Sequence, residues 1–177
     1  MENREYKKIF EELYKKNENE TEYHYENTVK NFVELHQKML EEMKKSVKSI
    51  DPIVTLRNLK YCCYLNKSNI SPRIEAEISY TARFPKTERE DFEIILKKFG
   101  KLEMEKEKIN KIEEELKKNY LYYNEAYKKA AYLVLTACLE GLHPLLIGKN
   151  GSGLTTFAKF IASLYNQYNK KILLLKI

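Results

Sequence analysis

Residues 148–156, GKNGSGLTT, form the one stretch of this chain whose residue types and spacing suit a specific chemistry. The pattern G-x-x-x-x-G-K-[ST], set between a strand and a helix, wraps nucleotide phosphates in backbone N–H groups. Here it reads Gly148, Lys149, Asn150, Gly151, Ser152, Gly153, Leu154 and Thr155, with Thr156 following. Both outer glycines and Thr155 match, while Leu154 stands where the pattern has lysine. Glycines allow the left-handed angles and the close backbone approach that a phosphate requires. The start of the following helix adds free N–H groups and the positive end of its dipole. Thr155 is the residue whose hydroxyl would meet Mg2+ beside bound ATP or ADP.

Leu154 removes a cationic donor worth roughly 1.5–3 kcal/mol, or about one to two decades of affinity. Catalysis should suffer more, because the lysine also follows the charge that develops during phosphoryl transfer. The loop therefore predicts weak nucleotide binding with poor or absent hydrolysis, and no catalytic residue is assigned. His143, at the entrance to the preceding apolar run, fits either a turn residue or an adenine contact.

The elements that must position this loop are read from periodicity. Residues 5–16 place Tyr6, Ile9, Phe10 and Leu13 on one helical face. A longer stripe runs through Val29, Phe32, Val33, His36, Met39, Leu40, Met43, Val47 and Ile50, with His36 as a packed core residue. Asp51 can cap a following helix with Pro52 in its first turn, carrying Ile53, Leu56, Leu59 and Cys63 inward. In RIEAEISYTARF, apolar residues alternate from Ile74 to Phe84, which predicts a strand over about residues 73–84. Thr87 and Glu90 have capping-box spacing ahead of another helix. Ile109, Ile112 and Leu116 mark a thin, charged helix suited to pairing. From Tyr120 a helix becomes apolar nearly all round, and Gly141 supplies its left-handed stop. HPLLIG and KKILLLKI then read as strands on either side of the loop and of an amphipathic helix. The fold class predicted is a mostly α region over residues 1–119, then an incomplete α/β unit (β–loop–α–β) over residues 120–177.

Composition excludes several function classes. The net charge is +6 among 177 residues, but lysines are interleaved with glutamates, which reads as solvated helix faces rather than a nucleic-acid surface. Cys62, Cys63 and Cys138 have neither zinc spacing nor an even count, which fits a reduced compartment and buried small hydrophobes. The N-terminus lacks the apolar core of a signal peptide, and no window reaches the ~20 apolar residues of a membrane span. The expectation is a soluble, intracellular protein, cytoplasmic or nuclear, with no membrane partner. The fourteen tyrosines are read as helix-packing residues with their hydroxyls reaching water.

The segment YNEAYKKAAYLVLTACLEGLHPLLIGKNGSGLTTFAKFIASL resembles the AAA+ P-loop ATPases, particularly the large multi-module kind such as dynein heavy chains and midasin. Dynein-like loops share the run from Leu145 to Gly153, and the short EGLHPLLIG approach is similar to midasin. The resemblance covers roughly the last 55 residues, and Leu154 makes the phosphate loop degenerate. It implies a nucleotide-binding region that acts beside other AAA+ modules of a parent chain. The strand ending in an acidic pair that such a domain requires is not in the sequence. The chain is therefore expected to be an N-terminal piece of a longer protein, or a truncated remnant, and inactive by itself. Two other readings stay open. One is a helical scaffold that meets protein partners through residues 1–119 and keeps a vestigial loop. The other is a partitioning-type ATPase with a deviant loop, in which Lys149 supplies the cation.

Overall fold

The computed structural model describes residues 3–16, 20–45, 55–66, 70–80, 89–119, 124–146 and 151–169. Eight helices and no strand occur among these residues. They divide into two compact units, residues 1–102 and 103–177.

The first unit contains α1 (Asn3–Leu13), α2 (Glu22–Lys45), α3 (Leu56–Asn66), α4 (Pro72–Tyr80) and α5 (Arg89–Lys97). Its core joins Phe10 and Tyr14 to Phe32, Leu35 and Met39 of α2 and to Leu59 and Cys62 of α3. Ala76 and Tyr80 of α4 and Phe92 and Leu96 of α5 complete it. Rings of Phe10, Tyr14, Phe32 and Phe99 lie with centroids 4.6–5.7 Å apart, the offset and tilted range aromatic pairs favour. α3 begins at Leu56, and Thr55 and Asn58 bond reciprocally. The Thr55 N–H donates to Asn58 Oδ1 at 3.0 Å, and the Asn58 N–H donates to the Thr55 carbonyl at 2.9 Å. The cap expected at Asp51–Pro52 falls outside the described residues.

The strand expected at residues 73–84 is a helix over the described part, Pro72–Tyr80, and residues 81–84 lie outside it. Ser71 accepts the first helical bonds, from Ile74 at 2.9 Å and Glu75 at 3.1 Å, with Pro72 in the first turn. The alternation misleads because α4 is enclosed almost all round. Arg73, Glu75 and Glu77 are as buried as Ile74 and Ala76, while Ile78 is only half-buried. Polar residues that are buried and bonded do not mark a solvent face, so their spacing carries no strand period.

The second unit packs α6 (Lys106–Lys118), α7 (Glu125–Leu139) and α8 (Leu154–Asn169) against one another. It thus takes in α6 together with the residues from 120 onward. Ile112, Leu116, Ala131, Tyr132, Leu135, Ala137, Phe160, Ile161, Ala162 and Leu164 are its buried apolar residues among those described. Asn124 caps α7 by accepting from the Tyr127 N–H at 2.9 Å. α7 ends as its sequence predicts. Gly141 has φ +76°, and the Leu142 N–H reaches back to the Ala137 carbonyl at 2.9 Å. Residues 142–146 of the expected first strand are neither helix nor strand; 147–148 and the second apolar run, 170–177, lie outside the described residues.

No described helix is long and apolar enough to cross a membrane.

Candidate functional site

The loop is carried by α8, and two helices hold α8 in place. Near its start, Phe157 and Phe160 meet the ring of Tyr127 on α7, with centroids 5.1 and 6.1 Å apart. Toward its end, Glu115 of α6 accepts from Ser163 Oγ at 2.7 Å and from Gln167 Nε2 at 2.9 Å. Lys111 lies 4.1 Å above the Tyr168 ring. Lys128 ties α7 to α6 through Glu113 at 3.1 Å. α8 is therefore held along its length, by aromatic packing near its start and by polar bonds toward its end.

Gly151 and Gly153 have φ +79° and +77°, and Ser152 lies between them. That left-handed geometry is open to glycine and strained for other L-residues, which explains both glycines. The Gly153 carbonyl accepts the first helical bond, from Phe157 N–H at 2.9 Å, so Gly153 is the N-cap. The N–H groups of Leu154, Thr155 and Thr156 form the first turn of α8 and have no intrahelical acceptor. Gly151, Ser152, Gly153, Thr155 and Thr156 are exposed, and Leu154 is half-buried. An added Cβ at Gly151 or Gly153 meets nothing within 4 Å, so the left-handed angle rather than crowding is what favours glycine at both positions. Gly148, Lys149 and Asn150, the first part of the expected site, lie outside the described residues. His143, ahead of them, is exposed, as is Leu145.

The sequence that carries the loop holds charge of one sign. From Gly141 to Ile177 the chain has no Asp or Glu, and it carries Lys149, Lys159, Lys170, Lys171 and Lys176. Elsewhere lysine and glutamate alternate, which hid this local imbalance behind the averaged composition. Bare N–H groups, a helix dipole and a locally cationic chain all favour an anion over a cation. The same facts fit a divalent cation poorly. Thr155 offers one neutral hydroxyl, whereas Mg2+ is usually held by carboxylates together with the phosphates it bridges. Among the described residues no group of three or more His, Cys, Asp or Glu is placed to hold a metal ion.

Glu115 was not marked by the sequence as different from Glu113 or Glu114. Only its partners distinguish it, since Ser163 and Gln167 lie about fifty residues away. Burial pushes its carboxyl up, but the bonds from Ser163, Asn119 and Gln167, with the Lys118 ammonium nearby, hold it below the usual carboxylate range. It is thus a charged anchor under α8.

No protein-family model matches the chain, and no curated protein or solved structure is similar to it.

Proposed function

We propose that residues 148–156 and the start of α8 hold the phosphates of a nucleotide, ATP or ADP, without hydrolysing it, as a degenerate phosphate loop of the AAA+ kind. The observation that carries this reading is the pair of left-handed glycines ahead of α8, in a stretch free of carboxylates. The backbone supplies the binding groups. Gly151 and Gly153 let the chain pass close to a phosphate, and the N–H groups of residues 154–156 face the open end of the helix. On this reading, other modules of a parent chain contribute what hydrolysis needs. Mg2+ would be held chiefly by the nucleotide, with Thr155 as its one contact from the loop.

Titration calorimetry with ADP on the intact chain and on Leu154→Lys tests this. Leu154 lies at the first turn and is only half-buried, so a lysine can run its stem along the same surface and reach the phosphates with its ammonium. Affinity should tighten by about one to two decades in the variant. Heat-silent titrations of both proteins at millimolar nucleotide would remove the reading.

A second reading has its own support. The first unit exposes Tyr23, Tyr64 and Ile94 at 77%, 48% and 61% on otherwise charged helices. Apolar residues so placed suit a helical protein that meets other proteins, with the loop as a remnant. Pull-down of a partner that is lost on Ile94→Lys, with no nucleotide bound, would favour it.

A further inference from the structure

A group of buried titratable side chains lies inside the first unit. Glu75, in the first turn of α4, is fully buried. Its Oε2 lies 3.0 Å from the Tyr14 hydroxyl, and its Oε1 has no hydrogen-bond partner. Tyr14, just after α1, is itself buried, as is Cys62, which faces the pair from α3. Glu20, just ahead of α2, adds a like charge. On α4 the nearest cation is Arg73, whose guanidinium is committed to Glu77 at 2.7 Å and to Glu93 of α5 at 3.2 Å. His36 of α2 bonds Tyr80 through Nδ1 at 3.0 Å and keeps an unpartnered Nε2. Among the described residues, no cation pairs with Glu75.

An ionised carboxylate in this place would keep its charge in an apolar core with one neutral donor and one bare oxygen. Such a charge is strongly destabilising, whereas a neutral carboxyl with one hydrogen bond is tolerated. We propose that Glu75 is a proton-operated latch. The first unit closes α4 onto the Tyr14 end of α1 and onto α3 with Glu75 in its neutral form, and loss of that proton loosens α4.

Burial pushes the Glu75 carboxyl well above the usual carboxylate range. The Tyr14 bond opposes this shift and Glu20 adds to it. For a group raised in the folded state, the stabilisation is complete below its unfolded value and is lost as pH rises toward the folded one. His36 acts with the opposite sign. Burial lowers it to about 4, so the folded unit loses stability as pH falls from 6.5 toward that value. Between about pH 4.5 and 6.5 the two slopes offset, and above that window Glu75 acts alone until Cys62 begins to titrate in the unfolded chain.

The test is urea unfolding of the intact chain between pH 6.5 and 8, followed through the tyrosines of the first unit, for the unaltered protein and Glu75→Gln. The folded-to-unfolded ratio of the unaltered chain should begin to fall at about tenfold per pH unit, while the variant stays level. A level unaltered chain, or a variant with the same slope, would overturn the latch. If Glu75→Gln does not fold, infrared spectroscopy of the unaltered native chain at pH 7 decides. A carbonyl stretch from a protonated carboxyl supports the proposal, and its absence sinks it. Amide exchange separates a latch from a passive buried acid. Corrected for its intrinsic pH dependence, exchange should quicken with rising pH in α4 before α2; equal behaviour in both helices contradicts the loosening.

Discussion

Two buried glutamates, Glu75 in the first unit and Glu115 in the second, behave in opposite ways. Glu75 in the first unit has one hydrogen bond, from a neutral phenol, and an oxygen with none. Glu115 in the second, at 8% exposure, has both oxygens engaged. Ser163 and Asn119 donate to Oε1 at 2.7 and 3.1 Å, Gln167 donates to Oε2 at 2.9 Å, and the Lys118 ammonium is 3.9 Å away. The carboxyl of the first is pushed up and that of the second is held down. Glu75 is the more deeply enclosed and has the fewer donors, so desolvation and the number of donors that converge on the carboxylate together set the two charges.

The largest way to break the comparison is to delete the well-served partner. Glu115→Ala leaves Ser163 and Gln167 of α8 without their acceptor and should destabilise the second unit by about 1.5–3 kcal/mol, the range for hydrogen bonds to a charged group. A shift of the urea midpoint reads this directly. A loss under about 0.5 kcal/mol, the size of an ordinary surface substitution, would mean that α8 is held by its aromatic contacts alone.

Acid and base then separate the two sites. Glu115 is lowered in the folded state, so its stabilisation is present above the unfolded carboxyl value and is lost as pH falls toward its folded value. Glu75 is raised, so its stabilisation is present in acid and is lost as pH rises. Residue-resolved amide exchange should show α8 loosening at low pH. Over the same pH range Glu115→Gln, which cannot ionise, should show no such loosening.

Legibility in the sequence followed the same division. The stripes of α2, as far as Leu40, and of α6 were readable because one helical face meets water and the other does not. On α1, Phe10 turns inward as read, but Leu13 is exposed and Tyr14 is buried in its stead, while Val47 and Ile50 lie outside the described residues. α4 was not readable, since the residues that would mark its wet face are buried, Glu75 against Tyr14, Arg73 against Glu93 of α5, and Glu77 against Arg73 one turn away. The loop was readable as far as its glycines, because Gly151 and Gly153 need angles that few residues adopt. The anchors beneath the loop, Glu115 with Ser163 and Tyr127 with Phe157, join residues 30 or more positions apart, and no local period encodes them. Sequence periodicity reports which side of an element meets solvent. It says little about a polar residue whose partner arrives from elsewhere in the chain.

The smallest effect sharpens the comparison most. Tyr14→Phe and Ser163→Ala each remove one hydroxyl donor from a buried carboxyl, and each should destabilise by about 1 kcal/mol. Both substitutions raise the carboxyl they touch, since each hydrogen bond had favoured the charged form. For Glu115 that movement is toward the ordinary value, so the acid-dependent part of the stability shrinks in Ser163→Ala. For Glu75 it is away from the ordinary value, so the fall in stability continues to higher pH in Tyr14→Phe. One chemical change thus shortens one pH dependence and lengthens the other. Urea midpoints of the two variants, taken from pH 4 to 8 beside the unaltered chain, measure both at once. If Tyr14→Phe shortened the alkaline fall, the Tyr14 bond would be favouring the neutral carboxyl, and the two hydroxyls would serve opposite charge states.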